Sequence, residues 1–316
     1  MEKPYYVIGI DGGGTKTAAL LADEKGKTLA EDAGGPSNFQ FIGVEQAARV
    51  LFSVISQCCQ KAGCPISQVK CVVAGLTGAG RPSDQERMQK AFEAHARQSG
   101  AEFGTLKIES DARIALEGAF EGASGIILIA GTGSIAFGKT TEGDVFRVGG
   151  WGRIVGDEGS GFMIGREGLN AVTKELDGRG KKTQLTVIVA EKFGLSSQER
   201  IIAEVYRNNF DLASLAPLVI EAASKHDQEC ERILNRAAFE LSEHVRALTL
   251  RMERATRGAR QKIPLSFVGS LLTQDSVFPK IVKHKIEFTT PQIVVRKPQS
   301  TPAYGAALMA LKLIKE

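Results

Sequence analysis

The chain has 316 residues, with 40 Lys+Arg against 36 Asp+Glu and a formal net charge of +4. That length exceeds what one hydrophobic core organises, so two domains or one large bilobal body are expected. The charges form neither a basic block nor an acidic tail, which excludes an electrostatic footprint for nucleic acid or anionic lipid and points to a small ligand. No apolar run approaches the roughly 18 residues that span a bilayer, and "MEKPYYVIGID" enters a strand-like segment without a leader, so a soluble, cytoplasmic protein is expected.

In chain order, residues 5–11 and 16–22 read as strands, "DEKGK" around Gly26 reverses the chain, and "TLAEDAG" continues as a third strand, an antiparallel meander. After the loop "GGPSNFQFIG", Ala47, Val50, Leu51, Val54, Ile55 and Cys58 recur at helical spacing. "KCVVAGL" reads as a buried strand. Ser83 with Glu86 forms a capping-box start for a helix to about residue 98, and "TLKIES" is a strand before Asp111 opens another helix.

The arrangement then starts again about 120 residues on, with strand "GIILIA", turn "GTGS", strand "IAFGK", turn "TTEGD", strand "VFRVGG" and a helix from about residue 160. Residue identity between the halves is slight, so the duplication rests on element order. Helices dominate from about 183 to 257, one of them carrying the stripe Cys230, Ile233, Leu234, Ala237, Leu241, Val245, Leu248 and Met252, which reads as core. The tail supplies strand, loop, helix, strand and a closing helix. Mixed sheets flanked by helices in two related lobes follow, an α/β chain.

Glycine is abundant, with 35 residues, and many cluster in a few turns. The stretch "IGIDGGGTKTAALL" is not a P-loop, because Thr15 separates Gly14 from Lys16 and a strand follows where a helix is needed. "GTGSIA" at 131–136 fits G-x-G-x-x-A, yet it too continues into a strand, so no helix N-terminus faces a pyrophosphate. Two glycine hairpins remain. Gly12, Gly13, Gly14, Thr15, Lys16 and Thr17 form the first, and Gly131, Thr132, Gly133 and Ser134 the second, offering unhindered N–H groups and hydroxyls suited to phosphate oxygens. Asp11 beside phosphates requires a cation between them, a Mg²⁺ held through water. The plain alternative is an ordinary tight β-hairpin.

Cys58, Cys59, Cys64, Cys71 and Cys230 lack the spacing of zinc or redox sites and read as free thiols. His95, His226, His244 and His284 lie far apart on polar segments and read as solvated.

These residues resemble the actin-like ATPase superfamily of sugar kinases and hexokinases. "GIDGGGTKT" is similar to its first phosphate loop, "IAGTGS" to its second, and "FVGSLL" around Gly269 and Ser270 to its adenosine-side loop. "GGWGRIVGDEGSGFMIGREGL" narrows the resemblance to N-acetylglucosamine kinases within the BadF/BadG/BcrA/BcrD ATPase family, over residues 6 to 311. It implies an actin-like (ribonuclease H-like) fold with an N-terminal lobe over 1–116 and a C-terminal lobe over 117–316, closing on ATP and sugar, the helix 302–315 being free to pack back on the first lobe. It also implies Asp111 as catalytic base toward a sugar 6-hydroxyl. A carboxylate at a helix start beside a phosphate site suits that role, and capping the helix 112–120 is a compatible alternative.

By the same resemblance Asn38 contacts a sugar hydroxyl, and Gly150, Trp151 and Asp157 surround an N-acetylhexosamine. Trp151 as a core residue and Asp157 as a cap for the helix near 160 are the plain alternatives. After Asn38 the chain has "FQF" where animal members carry a tryptophan, so N-acetylglucosamine, glucosamine and N-acetylmuramic acid stay open as acceptors. The implied partners are ATP with Mg²⁺ and a small sugar, with a homodimer the one oligomer suggested. An ATP-driven activator of a redox enzyme would need clustered cysteines in mid-chain, and none lies between Cys71 and Cys230. A sugar-sensing regulator would need a DNA-binding segment ahead of the first strand.

Overall fold

The computed structural model describes residues 4–256 and 262–315. They divide into two compact units. The first runs to Ala123 and resumes at Lys297, and the second is Ser124–Arg296. The boundary read from sequence at 116/117 falls within a helix that belongs whole to the first unit, and the closing helix belongs there too.

In the first unit, β1 (Tyr6–Gly12), β2 (Thr17–Asp23) and β3 (Thr28–Gly34) form the expected meander. Asn38 then caps a short helix α1 (Phe39–Ile42) within the segment read as loop, and α2 (Val44–Ala62) follows. Next come β4 (Val69–Leu76), α3 (Pro82–Gln98), β5 (Thr105–Ser110) and α4 (Asp111–Ala119). The sheet order is β3-β2-β1-β4-β5, with β4 parallel to both β1 and β5.

β1 is apolar at nearly every position because both its faces are covered. Ile8 and Ile10 pack with Leu51, Val54 and Ile55 of α2 and Met88 and Phe92 of α3, whereas Val7 packs with Ile114 of α4 and the alanines of the closing helix. The Ser83–Glu86 capping box does not form. The helix starts at Pro82, which needs no N–H there, and Glu86 pairs with Lys90 instead.

The second unit begins with β6 (Gly125–Ala130), β7 (Ser134–Lys139) and β8 (Val145–Gly149), then α5 (Gly161–Leu176), α6 (Gln184–Phe193), α7 (Gln198–Ile202), α8 (Ala216–Ser224) and α9 (Gln228–Ala255). A single π-turn at Ala203–Arg207 and a 3₁₀ turn at Leu212–Leu215 lie between α7 and α8. β9 (Ile263–Val268), α10 (Ser270–Thr273), α11 (Val277–Thr289) and β10 (Ile293–Val295) close the unit. The α9 stripe is buried throughout, as its period requires, and it packs with Phe278, Val282 and Ile286 of α11. Residue 257, where the helical stretch was expected to end, lies outside the described residues.

The second sheet has the order β10-β9-β6-β7-β8, again a meander with two parallel strands added at the other side of its first strand. Both sheets therefore share one topology, which is the duplication read from element order. Among the described residues no helix is long and apolar enough to cross a membrane.

The closing helix α12 (Pro302–Lys315) lies on the first sheet at backbone contact distance. A Cβ on Gly9 of β1 would fall 2.0 Å from the carbonyl oxygen of Ala303, and one on Gly305 would fall 2.2 Å from that of Ile114. Glycine at these positions is what lets α12 touch both β1 and α4.

Candidate active site

The first glycine turn joins β1 to β2. Gly13 N–H donates to Lys16 O at 2.9 Å, closing it tightly. Its outer carbonyls anchor neighbouring segments: Gly13 O accepts from the N–H groups of Ser37 and Asn38, and Gly12 O from that of Thr77 at 2.9 Å. A Cβ on Gly12 would meet Leu76 Cδ2 and Ser37 Oγ at 2.3 Å, whereas one on Gly14 would meet nothing within 4 Å. Gly12 is thus glycine for packing, and Gly14 leaves its backbone open to a ligand. Thr15 and Lys16 are exposed beside it.

Thr17 differs from its neighbours. It is wholly buried, and its hydroxyl donates to Gly35 O and shares a hydrogen bond with Ser37 Oγ, both at 2.7 Å. It ties the turn to the following loop, and its hydroxyl is not available to a phosphate as the sequence suggested.

Asp111 lies in the first turn of α4. The N-cap is Ser110, whose Oγ accepts from Arg113 N–H at 3.2 Å, so capping is not the role of Asp111. Asp111 Oδ1 accepts from Ala112 N–H and Oδ2 from the hydroxyl of Thr77, both at 2.8 Å. The helix N-terminus favours such a carboxylate. Asp11, at the end of β1, is near enough to feel it. Burial first, and the Asp111 charge second, push the Asp11 carboxyl above its ordinary value, with Lys16 opposing. Asn38 is buried, and its Oδ1 accepts from Gln40 N–H at 3.2 Å, leaving its amide N–H₂ without a partner among the described residues. Asp11, Gly12–Lys16, Asn38 and Asp111 are therefore gathered by the first unit around the carboxyl ends of β1, β4 and β5.

The second unit gathers the other set. Gly131 N–H donates to Gly133 O at 2.9 Å, and the carbonyls of Gly131 and Thr132 accept from Gly161 and Phe162 at the start of α5. Thr132 is exposed, but Ser134 is buried and donates its hydroxyl to Glu158 O at 2.7 Å, so it too is structural. Gly269, with φ +88°, turns β9 into α10, and a Cβ there would strike Ala130 O at 2.4 Å. Ser270 Oγ lies 3.9 Å from the Cβ position of Gly131, so the two loops adjoin.

Asp157 does not cap α5, since Ser160 does. With φ 58°, Asp157 turns its carboxylate under the second hairpin, where a Cβ on Gly133 would lie 2.9 Å from Oδ2. Gly149 and Gly150 both have positive φ, and the Arg147 side chain donates to both of their carbonyls. Trp151 is 75% exposed and is not a core residue.

A model of the BadF/BadG/BcrA/BcrD ATPase family matches residues 8–310. The chain belongs to that family. Its similarity to an N-acetylmuramic acid/N-acetylglucosamine kinase of Clostridium acetobutylicum is 34% identity over 96% of this chain and 98% of the relative. An N-acetyl-D-glucosamine kinase of Dictyostelium discoideum is 30% identical over 98% and 99% of the two chains. A crystal structure from Chromobacterium violaceum, assigned as an N-acetylglucosamine kinase, superposes with a TM-score of 0.70 at 28% identity, covering 97% of this chain and 99% of that one. Sugar kinases of the ROK type share the fold at greater distance. The fold of this family member is the two-lobed actin-like ATPase fold.

Sequence reasoning missed Thr77 and Ser37. Thr77 was findable as a polar residue at the carboxyl end of a parallel strand, where α/β sheets place their sites. Of the histidines expected to be solvated, His226 and His284 are exposed and His95 is half-buried, edge-on against Phe52, whereas His244 is buried. All five cysteines are buried as free thiols, and burial pushes Cys59 and Cys230 up to about 12, so neither is a thiolate at neutral pH.

Proposed function

We propose that this chain transfers the γ-phosphoryl group of ATP to the 6-hydroxyl of N-acetylglucosamine, with Asp111 as general base. It is an ATP-dependent sugar kinase, and the N-acetylated amino sugars named for its relatives support the acceptor class. The observation that carries the reading is the Asp111 carboxylate, fixed at both oxygens and set near Asp11 at the glycine turn. Asp111 accepts the proton of the sugar hydroxyl as that oxygen bonds to the γ-phosphorus and the bond to the β–γ bridging oxygen breaks, releasing ADP.

Backbone N–H groups at Gly14–Thr15 and Thr132–Gly133 bind phosphate oxygens, those of Gly13 and Gly131 being taken up in closing the turns, Lys16 adds a positive charge, and Gly269 and Ser270 border the adenosine. Asn38, Gly150, Trp151 and Asp157 hold the sugar. Among the described residues no group of three or more His, Cys, Asp or Glu could cage a metal. Asp11 offers one hard carboxylate, which fits Mg²⁺ held through water and the substrate's own phosphates. Bound there, the ion would neutralise phosphate charge. The protein's own share is alignment, which can be worth effective molarities on the order of 10⁵ M.

Sugar-dependent ADP release, measured across N-acetylglucosamine, N-acetylmuramic acid and glucosamine, tests this reading. N-acetylglucosamine is expected to give the highest kcat/KM, and Asp111→Asn is expected to remove about 10²–10⁴-fold of the turnover. Full turnover by Asp111→Asn would show the base to be misassigned, and a preference for glucosamine would show the acceptor to be wrong.

A further inference from the structure

His244 is a buried titratable side chain with no part in the chemistry above. It sits on the inner face of α9, 8% exposed, almost a hundred residues from the loops it touches. Its Nδ1 lies 2.8 Å from the carbonyl oxygen of Glu240. A carbonyl can only accept, so Nδ1 carries a proton and the ring orientation is fixed. Nε2 then points at Glu158, whose Oε2 is 3.7 Å away.

The other side of the ring meets Gly149. A Cβ on that glycine would fall 2.4 Å from both Cδ2 and Nε2, so only a residue without a side chain leaves room for the imidazole. Gly149 and Glu158 are both tied to Ser134 or its neighbour. Gly150 N–H donates to Ser134 O at 3.0 Å, and Ser134 Oγ donates to Glu158 O at 2.7 Å. The ring is thus wedged between the two ends of the Gly149–Glu158 segment, the segment that carries Gly150, Trp151 and Asp157. From outside, Arg147 grips the carbonyls of Gly149 and Gly150, and Arg251 holds Arg147 O at 2.8 Å.

We propose that His244 is a positioning residue for sugar binding: wedged between Gly149 and Glu158, it sets the path of the loop that holds the sugar. The proposal rests on the sugar-kinase reading. A group that shapes one substrate's loop should act on that substrate's KM, because the geometry lost is a binding geometry. The nucleotide turns should be affected less, because each is closed by its own backbone hydrogen bond even though Ser134 joins the second of them to this segment.

The test compares wild type, His244→Ala, His244→Gln and Glu158→Gln as full chains, reading kcat and both KM values beside the thermal midpoint. His244→Ala is expected to raise the KM for N-acetylglucosamine about tenfold or more while leaving the KM for ATP within about twofold. His244→Gln, whose amide reaches toward the place of Nε2, is expected to recover most of the loss. Glu158→Gln, a partly exposed site that leaves the core intact, should reproduce the rise in sugar KM should His244→Ala fail to fold. A wild-type sugar KM in Glu158→Gln, or a parallel loss in kcat and both KM values in His244→Ala, would overturn the positioning role alone. Absence of sugar-dependent turnover in the wild type would overturn the kinase reading and this proposal with it.

Discussion

The hydroxyl of Thr77 donates to Oδ2 of Asp111 at 2.8 Å, joining the residue after β4 to the first turn of α4. Because Oδ1 accepts from the adjacent backbone N–H, the carboxylate has no freedom to rotate while both bonds hold. A hydrogen bond to a charged group contributes about 1.5–3 kcal/mol. Thr77→Val keeps the shape and removes the donor, so it is expected to lower kcat about 10- to 100-fold with little change in the KM for ATP. Steady-state kinetics beside a urea melt check this, since a misfolded variant would lose both together.

The Asp11 carboxyl predicts an opposition between stability and activity. Its folded pKa lies above the ordinary value of 3.8, through burial and then Asp111. Between those two values the folded chain binds more protons than the unfolded one, so this group's contribution falls as pH rises through that window. At neutral pH it is therefore destabilising. Asp11→Asn is expected to unfold at higher urea than wild type at pH 7, and the difference should vanish at a pH below the ordinary aspartate value. The same variant should lose activity. A lower urea midpoint at pH 7 would contradict the sign.

The glycines separate packing from ligand access. On Gly9, a Cβ would overlap the backbone of Ala303, which cannot move without displacing α12. On Gly14 it would enter open space. Gly9→Ala is expected to cost about 1–3 kcal/mol or more of stability, as overpacking does. Gly14→Ala is expected to melt with wild type yet raise the KM for ATP, because the new methyl group stands where a phosphate would approach the backbone. Urea midpoints and nucleotide KM values on the two variants decide it.

These contrasts show how much the sequence made legible. The β1–β2 meander, the two glycine hairpins and the α9 stripe follow from local period and from glycine spacing, and each lies where that reasoning puts it. What could not be read is which partner a polar atom takes across the chain. Thr17 and Ser134 looked like phosphate hydroxyls because they stand in glycine turns, yet their acceptors, Gly35 and Glu158, are 18 and 24 residues away. Capping stands as the alternative role for Asp111 because that residue opens a helix, but Ser110 has the extended backbone that a cap requires. His244 sits in a polar run, and only the folded α9 turns it inward against Gly149.

Trp151 offers a readout that needs no coupled assay. It is the single tryptophan of the chain, and it is 75% exposed in the segment after Gly150. An exposed indole contributes little to folding, so Trp151→Ala is expected to change stability by no more than about 0.5 kcal/mol. If the ring covers a bound sugar, adding N-acetylglucosamine should shift the intrinsic emission to shorter wavelength as water leaves the indole, saturably and with a midpoint matching the sugar KM. Trp151→Ala should raise that KM while the ATP KM stays put. Emission unchanged at sugar concentrations that saturate turnover would place Trp151 outside the sugar site and leave Asn38 and Asp157 as the side chains that bind it.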